Sequence, residues 1–278
     1  MKLSIITINF NNRDGLRKTI ESVVNQNYQE FEYIIIDGGS TDDSVEVIKE
    51  FAEHIDYWVS EPDKGIYNAM NKGIERVHGE YCIFMNSGDC FHSNDVIEKF
   101  VTNINNEDIA CGDTYLGETK KAFAEITFET LFNSSICHQS AFIKTKLMKK
   151  YMYDESLKIV ADRKFFLQAF ITENCTYKPL HFIVANYDIT GFSAQNRTLS
   201  ELEYKKVLEE IIPYRIRVDY GKKREGLLYG DDFYSKLFFE IKKRRYKKII
   251  YLICTIFLYC ISIFRKSAKF IRNYPIKV

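Results

Sequence analysis

The chain has 278 residues, 46% apolar and 28% charged, the proportions of an ordinary globular protein with one substantial core and room for a small appendage. Its net charge of +1 hides two parts, because 11 Lys or Arg and no Asp or Glu follow Glu240, leaving 28 basic and 38 acidic residues before it, a net of −10. An acidic body argues against a nucleic-acid binder, and the basic tail suggests an anionic surface as its partner.

Residues 3–8 read as a buried strand, and Asn9 to Asp14 as a polar turn able to cap a helix. Leu16, Ile20, Val23 and Val24 then recur at helical spacing, closing near Gln26. Residues 32–37 form a second strand, and Val45, Ile48 and Phe51 mark a second helix. A short strand over 57–60 precedes a third helix carried by Ile66, Met70, Ile74 and Val77, and residues 81–85 give a further strand. Strands alternating with helices over about a hundred residues predict a mostly parallel sheet with crossover helices, an α/β fold. Beyond Asp89 the rhythm loosens. Residues 96–101, 162–170, 199–212 and 233–245 look helical, while 109–111, 121–125, 140–143 and 177–189 look strand-like.

Residues 249–264 carry no charge, with a basic cluster on each side. Sixteen helical residues reach about 24 Å, short of a ~30 Å hydrocarbon core. Basic charge on both flanks also opposes the usual orientation bias. The preferred reading is a helix lying in the interface of an anionic cytoplasmic leaflet, with a buried core helix or a short spanning helix as alternatives. Seven scattered cysteines without a C-x-x-C pair suggest reduced thiols of a cytosolic protein. Met1-Lys2 leads straight into a strand-like run, without the pattern of a signal peptide.

The chemistry gathers where apolar runs end in carboxylates. Ile34-Ile35-Ile36 ends in Asp37-Gly38-Gly39, followed by Ser40-Thr41-Asp42. A strand thus delivers Asp37 to the carboxyl edge of a sheet, where ligands bind in open α/β folds. Glycine lets the chain turn tightly while a ligand comes close. No phosphate-loop pattern is present, and a carboxylate suits nucleobase N–H groups or ribose hydroxyls; a plain Asx-turn is the alternative. A second apolar strand ends in Asn86-Ser87-Gly88-Asp89. A carboxylate beside a diphosphate needs a hard divalent cation between them, Mg2+ or Mn2+; otherwise Asp89 caps a helix. A third segment, from Glu61-Pro62-Asp63-Lys64-Gly65 to Asn71-Lys72-Gly73, opens a helix at the same edge. Asp63 could bind ribose or cap that helix, and Lys72 could neutralise phosphate or simply face solvent. Asp162, after Ile159-Val160-Ala161, is a candidate general base or an N-cap, and His138-Gln139 is a polar pair of either structural or functional kind.

Together these segments resemble the family 2 glycosyltransferases with the GT-A fold, over residues 1–195. The carrying motifs are Ser4-Ile5-Ile6-Thr7-Ile8-Asn9-Phe10-Asn11, Asp37-Gly38-Gly39-Ser40-Thr41-Asp42, and Asp63 to Gly73, the last resembling the bacterial polysaccharide-assembly branch. The resemblance implies a Rossmann-like sheet with flanking helices and an inverting transfer of one sugar from a nucleotide-diphosphate-sugar, such as a UDP-sugar. It implies that Asp37 contacts the base and Asp63 lies near the nucleoside, that Thr7, Asn9, Gly38, Lys72, Asn86, Ser87 and Gly88 are substrate-binding, and that Asp89 holds a Mn2+ or Mg2+ ion. Asp162 would be the base, with His138 and Gln139 near the acceptor. The D-x-D position reads Ser87-Gly88-Asp89, with one carboxylate. The Gln-x-x-Arg-Trp motif of processive synthases is absent, Trp58 being the only Trp, which implies one sugar per encounter.

The expected organisation is a catalytic domain over 1–195, with a nucleotide half at 1–90 and an acceptor half at 91–195. A helical extension over 196–240 and a basic, apolar membrane-associating tail over 241–278 follow. The expected acceptor is a lipid-linked saccharide of bacterial surface polysaccharide assembly at the cytoplasmic face of the inner membrane. The alternatives are a non-catalytic nucleotide-sugar-binding module and a membrane scaffold.

Overall fold

A computed structural model describes residues 3–122, 125–133, 136–188 and 196–224. The first half follows the sequence pattern closely. Strand β1 (Leu3–Asn9) leads to α1 (Arg13–Val24), β2 (Phe31–Asp37) to α2 (Ser44–Glu50), and β3 (Tyr57–Ser60) to α3 (Ile66–Arg76), before β4 (Tyr81–Phe84). These four strands pair in parallel in the order β3-β2-β1-β4. Every residue of β1 is buried, so both of its faces are covered, as crossover helices require. Leu3 and Ile5 join Leu16, Ile20 and Val23 of α1 in one cluster. Ile6 turns to the other face, where α3 lies so close that a Cβ on Gly73 would sit 2.6 Å from Ile6 Cγ2.

Beyond β4 the sheet becomes mixed. After β5 (Cys90–Phe91) and α4 (Val96–Asn103) come β6 (Ile109–Leu116), β7 (Thr119–Lys121), α5 (Phe128–Asn133), β8 (Ala141–Lys144), α6 (Thr145–Tyr151), α7 (Ala161–Leu167) and β9 (Tyr177–Tyr187). Strand β8 runs antiparallel to both β4 and β6, β9 is parallel to β6, and β5 is antiparallel to β9. One reversed strand has a large effect. The carboxyl ends of β1, β2, β3, β4, β6 and β9 and the amino end of β8 all reach the same edge. His138 and Gln139, which precede β8, therefore meet the turn after β4.

The strand expected over 121–125 is displaced: β7 covers Thr119–Lys121, and Ala122 lies outside it. Its register comes from a two-residue turn, with Leu116 opposite Thr119 and Gly117 at φ +60°, and not from the apolar–polar alternation further on. The helix expected over 162–170 starts at Ala161 and widens into a π-helical turn over Gln168–Thr172. Helix α8 (Arg197–Ile211) belongs to a compact unit spanning Met1–Ile211, so that unit reaches past residue 195. A second unit begins at Ile212 and contains α9 (Tyr214–Arg224). Among the described residues no helix is long and apolar enough to cross a membrane. The expected helix at 233–245 and the apolar segment 249–264 lie outside the described residues.

Candidate active site

Asp37 ends β2 opposite Asn9 of β1 and Ser60 of β3. It is fully buried. Its carboxylate accepts from Asn9 Nδ2 (2.7 Å), Ser40 Oγ (2.6 Å), Ser60 Oγ (2.6 Å), Ser40 N (2.9 Å) and Gly39 N (3.2 Å). Burial pushes its pKa up, but hydrogen bonds from Ser40, Ser60 and Asn9 outweigh this and hold it below the ordinary value. Five donors fill the roughly four acceptor positions of a carboxylate, so a nucleobase N–H reaching Asp37 must displace one of them. Asn9 Oδ1 is buried beside it without a hydrogen-bond partner. Thr7 is spent inside the sheet, on Met85 O (2.8 Å) and Tyr33 Oη (3.0 Å).

Gly38 leaves room for a neighbour. A Cβ there would lie 2.5 Å from Asp63 Oδ2 and 3.1 Å from the Phe10 ring. Asp63 thus reaches over the turn, while its other oxygen accepts Gly65 N at 2.8 Å. Phe10, 64% exposed, supplies an aromatic face at this edge. Sequence reasoning passed over it, although an apolar ring within Asn9-Phe10-Asn11-Asn12 is a visible signal. Lys72 lies apart, on Glu61 Oε1 at 2.7 Å and Pro62 O at 3.2 Å.

A cavity of about 520 Å³ opens at the same edge and is lined by Asn86, Ser87, Asp89, His138, Gln139 and Asp162, together with Asn12, Tyr67, Arg163 and Asp188 among others. Six sequence-predicted residues therefore share one chamber. Gly88, at φ +101°, forms the turn between Ser87 and Asp89; its N–H meets Thr19 Oγ1 (3.0 Å), and its carbonyl accepts Lys18 Nζ (3.1 Å). Asp89 is 3% exposed. Burial pushes its carboxyl up to about 6, against hydrogen bonds from Asp188 N and the Gln139 side chain and the nearby His138 ring. His138 sits between two partners: Nδ1 is 3.3 Å from Asp162 Oδ2, and Nε2 is 3.2 Å from Asn86 Nδ2.

Asp162 opens α7, and the loop before it is clamped from two sides. From α3, Asn71 exchanges hydrogen bonds with Tyr153 (2.9 and 2.8 Å), Asn68 reaches Glu155 (3.0 Å), and Tyr67 Oη donates to Ile159 O. From α8, Glu203 accepts Lys158 N and Ile159 N at 2.9 Å each. The Tyr204 ring lies 3.1 Å from the Arg163 guanidinium. The segment from Asp63 to Gly73 is thus largely a bracket for the loop that carries Asp162. No local sequence signal marks Glu203 as its counterpart, because the partners are 44 and 45 residues apart.

The donor set suits a hard cation. Asp89 presents a buried carboxylate, and Asn86 Oδ1 is buried without a partner. Among the described residues no three Asp, Glu, His or Cys side chains gather as a closed metal cage. Mg2+ and Mn2+ usually rest on one or two carboxylates and complete their shell with substrate phosphates and water.

The sheet order, the carboxylate-bearing turns at its edge and the chamber between them define a glycosyltransferase of the GT-A type. The glycosyl transferase family 2 pattern matches residues 4–161. An uncharacterised glycosyltransferase of Mycobacterium tuberculosis is 31% identical over 258 residues, covering 87% of this chain and 98% of its own. The chain belongs to glycosyl transferase family 2. Two solved structures share its fold. S. aureus TarS, residues 1–349 in complex with UDP-GlcNAc, superposes with a TM-score of 0.63 at 17% identity over 76% of this chain and 65% of that one. A mannosyltransferase of Pyrobaculum calidifontis, in complex with GDP-Man and Mn2+, gives 0.59 at 10% identity over 88% and 82%.

Proposed function

We propose that this protein moves one sugar from a nucleotide-diphosphate-sugar to an acceptor hydroxyl, with inversion at the anomeric carbon. The observation that carries the reading is the shared chamber, which holds Asp89 and Asp162 with His138 between Asp162 and the Asn86 side chain. The nucleoside lies across Phe10 and Asp63, over a floor that Asp37 holds through Asn9, Ser40 and Ser60. UDP-GlcNAc and GDP-Man in the two fold relatives support a donor of this class. Asp89 and Asn86 would hold a divalent cation, Mn2+ or Mg2+, which when bound neutralises the diphosphate and stabilises the leaving nucleoside diphosphate.

Asp162 takes the proton of the acceptor hydroxyl as that oxygen attacks the face opposite the leaving group, through an oxocarbenium-like transition state. His138 fixes the carboxylate through its Nδ1 contact, and its other nitrogen is held by Asn86. The basic, apolar tail supports a lipid-linked acceptor at an anionic membrane surface, where each Lys or Arg contributes about 1 kcal/mol of attraction. The missing Gln-x-x-Arg-Trp motif favours one addition per encounter.

The test is a panel of UDP- and GDP-sugars with Mn2+, read by nucleoside diphosphate release and by donor affinity. A positioned base contributes ~10²–10⁴-fold, so Asp162→Asn should lose about that much turnover while keeping donor affinity. Full turnover in Asp162→Asn removes the base assignment. Failure of every donor to bind removes the transferase reading.

A further inference from the structure

The D-x-D position of this chain carries Ser at 87, so the turn 86–89 offers one carboxylate where two are the rule of the motif. The fold brings a second from a distant strand. Strands β5 and β9 are antiparallel, with Cys90 opposite Asn186 and Phe91 opposite Ala185. Continuing that register by two residues sets Asp188 across from Gly88. The contacts agree: Asp188 N donates to Asp89 Oδ1 at 2.8 Å, and a Cβ built on Gly88 would lie 2.7 Å from Asp188 Oδ2. Gly88 therefore has to be bare for the Asp188 side chain to lie over the turn. Asp89 and Asp188 line the same chamber as Asn86, whose buried Oδ1 has no partner. Two carboxylates and an amide oxygen gathered at one turn form an oxygen-donor set for a hard cation.

We propose that Asp188 supplies the second carboxylate for the divalent cation, in place of the acid that position 87 lacks. This rests on the metal-assisted reading above. It also makes the end of β9 part of the donor site.

The experiment is a Mn2+ titration of the full chain without nucleotide, following the paramagnetic resonance of free Mn2+, with metal-free melting curves to show that each variant folds. Asp89→Asn should abolish binding. Asp188→Asn keeps the shape and the backbone N–H and should weaken Mn2+ by about tenfold or more. Ser87→Asp added to Asp188→Asn should restore most of that loss. If Asp188→Asn binds like the parent while Asp89→Asn does not, Asp188 is no ligand and the metal reading stands. If the parent does not bind Mn2+, or Asp89→Asn binds equally well, both fall. Should Asp188→Asn not fold, Ser87→Asp alone decides. A second carboxylate already in place predicts little gain, and a gain of about tenfold would show that the turn had lacked one.

Discussion

Replacing Glu203 with Ala should cost about 2–4 kcal/mol of stability and should disable the base from a distance. The Glu203 carboxylate accepts Lys158 N and Ile159 N at 2.9 Å each. Ile159 is buried and Lys158 is exposed, so the substitution strands one donor and leaves the other within reach of water. A stranded buried donor costs ~1–3 kcal/mol and a lost bond to a charged acceptor near the surface roughly 1 kcal/mol. For a unit spanning Met1–Ile211, this lowers Tm by about 4–16 °C. Glu203→Gln keeps one acceptor oxygen and should lose about half as much. Because residues 158–160 lead into Asp162, turnover should fall more than donor affinity does. Thermal and urea melts give the stability change, and nucleoside diphosphate release with donor titration at a temperature where both proteins are folded gives the rest. A Glu203→Ala protein that melts with the parent refutes the clamp. One that is destabilised but turns over normally refutes its link to Asp162.

Asp89 predicts a pH dependence with a definite sign. Its folded pKa of about 6 lies above the ordinary 3.8, so the metal-free fold loses stability as pH rises from 3.8 to 6, by up to about 3 kcal/mol. Asp89→Asn without metal should therefore melt higher than the parent at pH 8 and alike near pH 3.5, while in the parent Mn2+ affinity should weaken by roughly tenfold per unit below pH 6 as proton and metal compete. Phe10→Ala should weaken nucleoside diphosphate binding by about 1–3 kcal/mol, the worth of one base on an aromatic face, with little change in Tm; unchanged affinity would clear Phe10 of that role. Deleting residues 242–278 should release the protein from anionic vesicles and spare donor hydrolysis, and equal vesicle binding would contradict the role given to the tail.

Much of the first half was legible because its rules are local. An apolar run such as Ile34-Ile35-Ile36 can only be a covered strand once helices alternate with it, and the four strands around it follow. Asp89, His138, Gln139 and Asp162 were legible as residue types at element ends. Their convergence was not, because it depends on β8 running backwards, and strand direction has no local signature. The two-residue β5, the six-residue α5 and helix α6 escaped for want of length: none carries enough turns or alternations to declare a period. Glu203 and Asp188 escaped for another reason. Each works on a segment 44 to 100 residues away, and nothing in the neighbouring sequence distinguishes it from an acid that faces solvent.

The pairing of β5 with β9, and of Glu203 with the loop before α7, also bears on how the protein is made. On a ribosome the four parallel strands have all emerged once residues 1–85 are made, yet the cluster under β1 and β4 is completed only by Phe100, Phe142, Leu180 and Val184. The chamber cannot exist at that stage. Its turn at Gly88 waits for residues 185–188, and the loop carrying Asp162 waits for α8. A nascent chain therefore lacks the assembled chamber until residues 188 and 203 have been added.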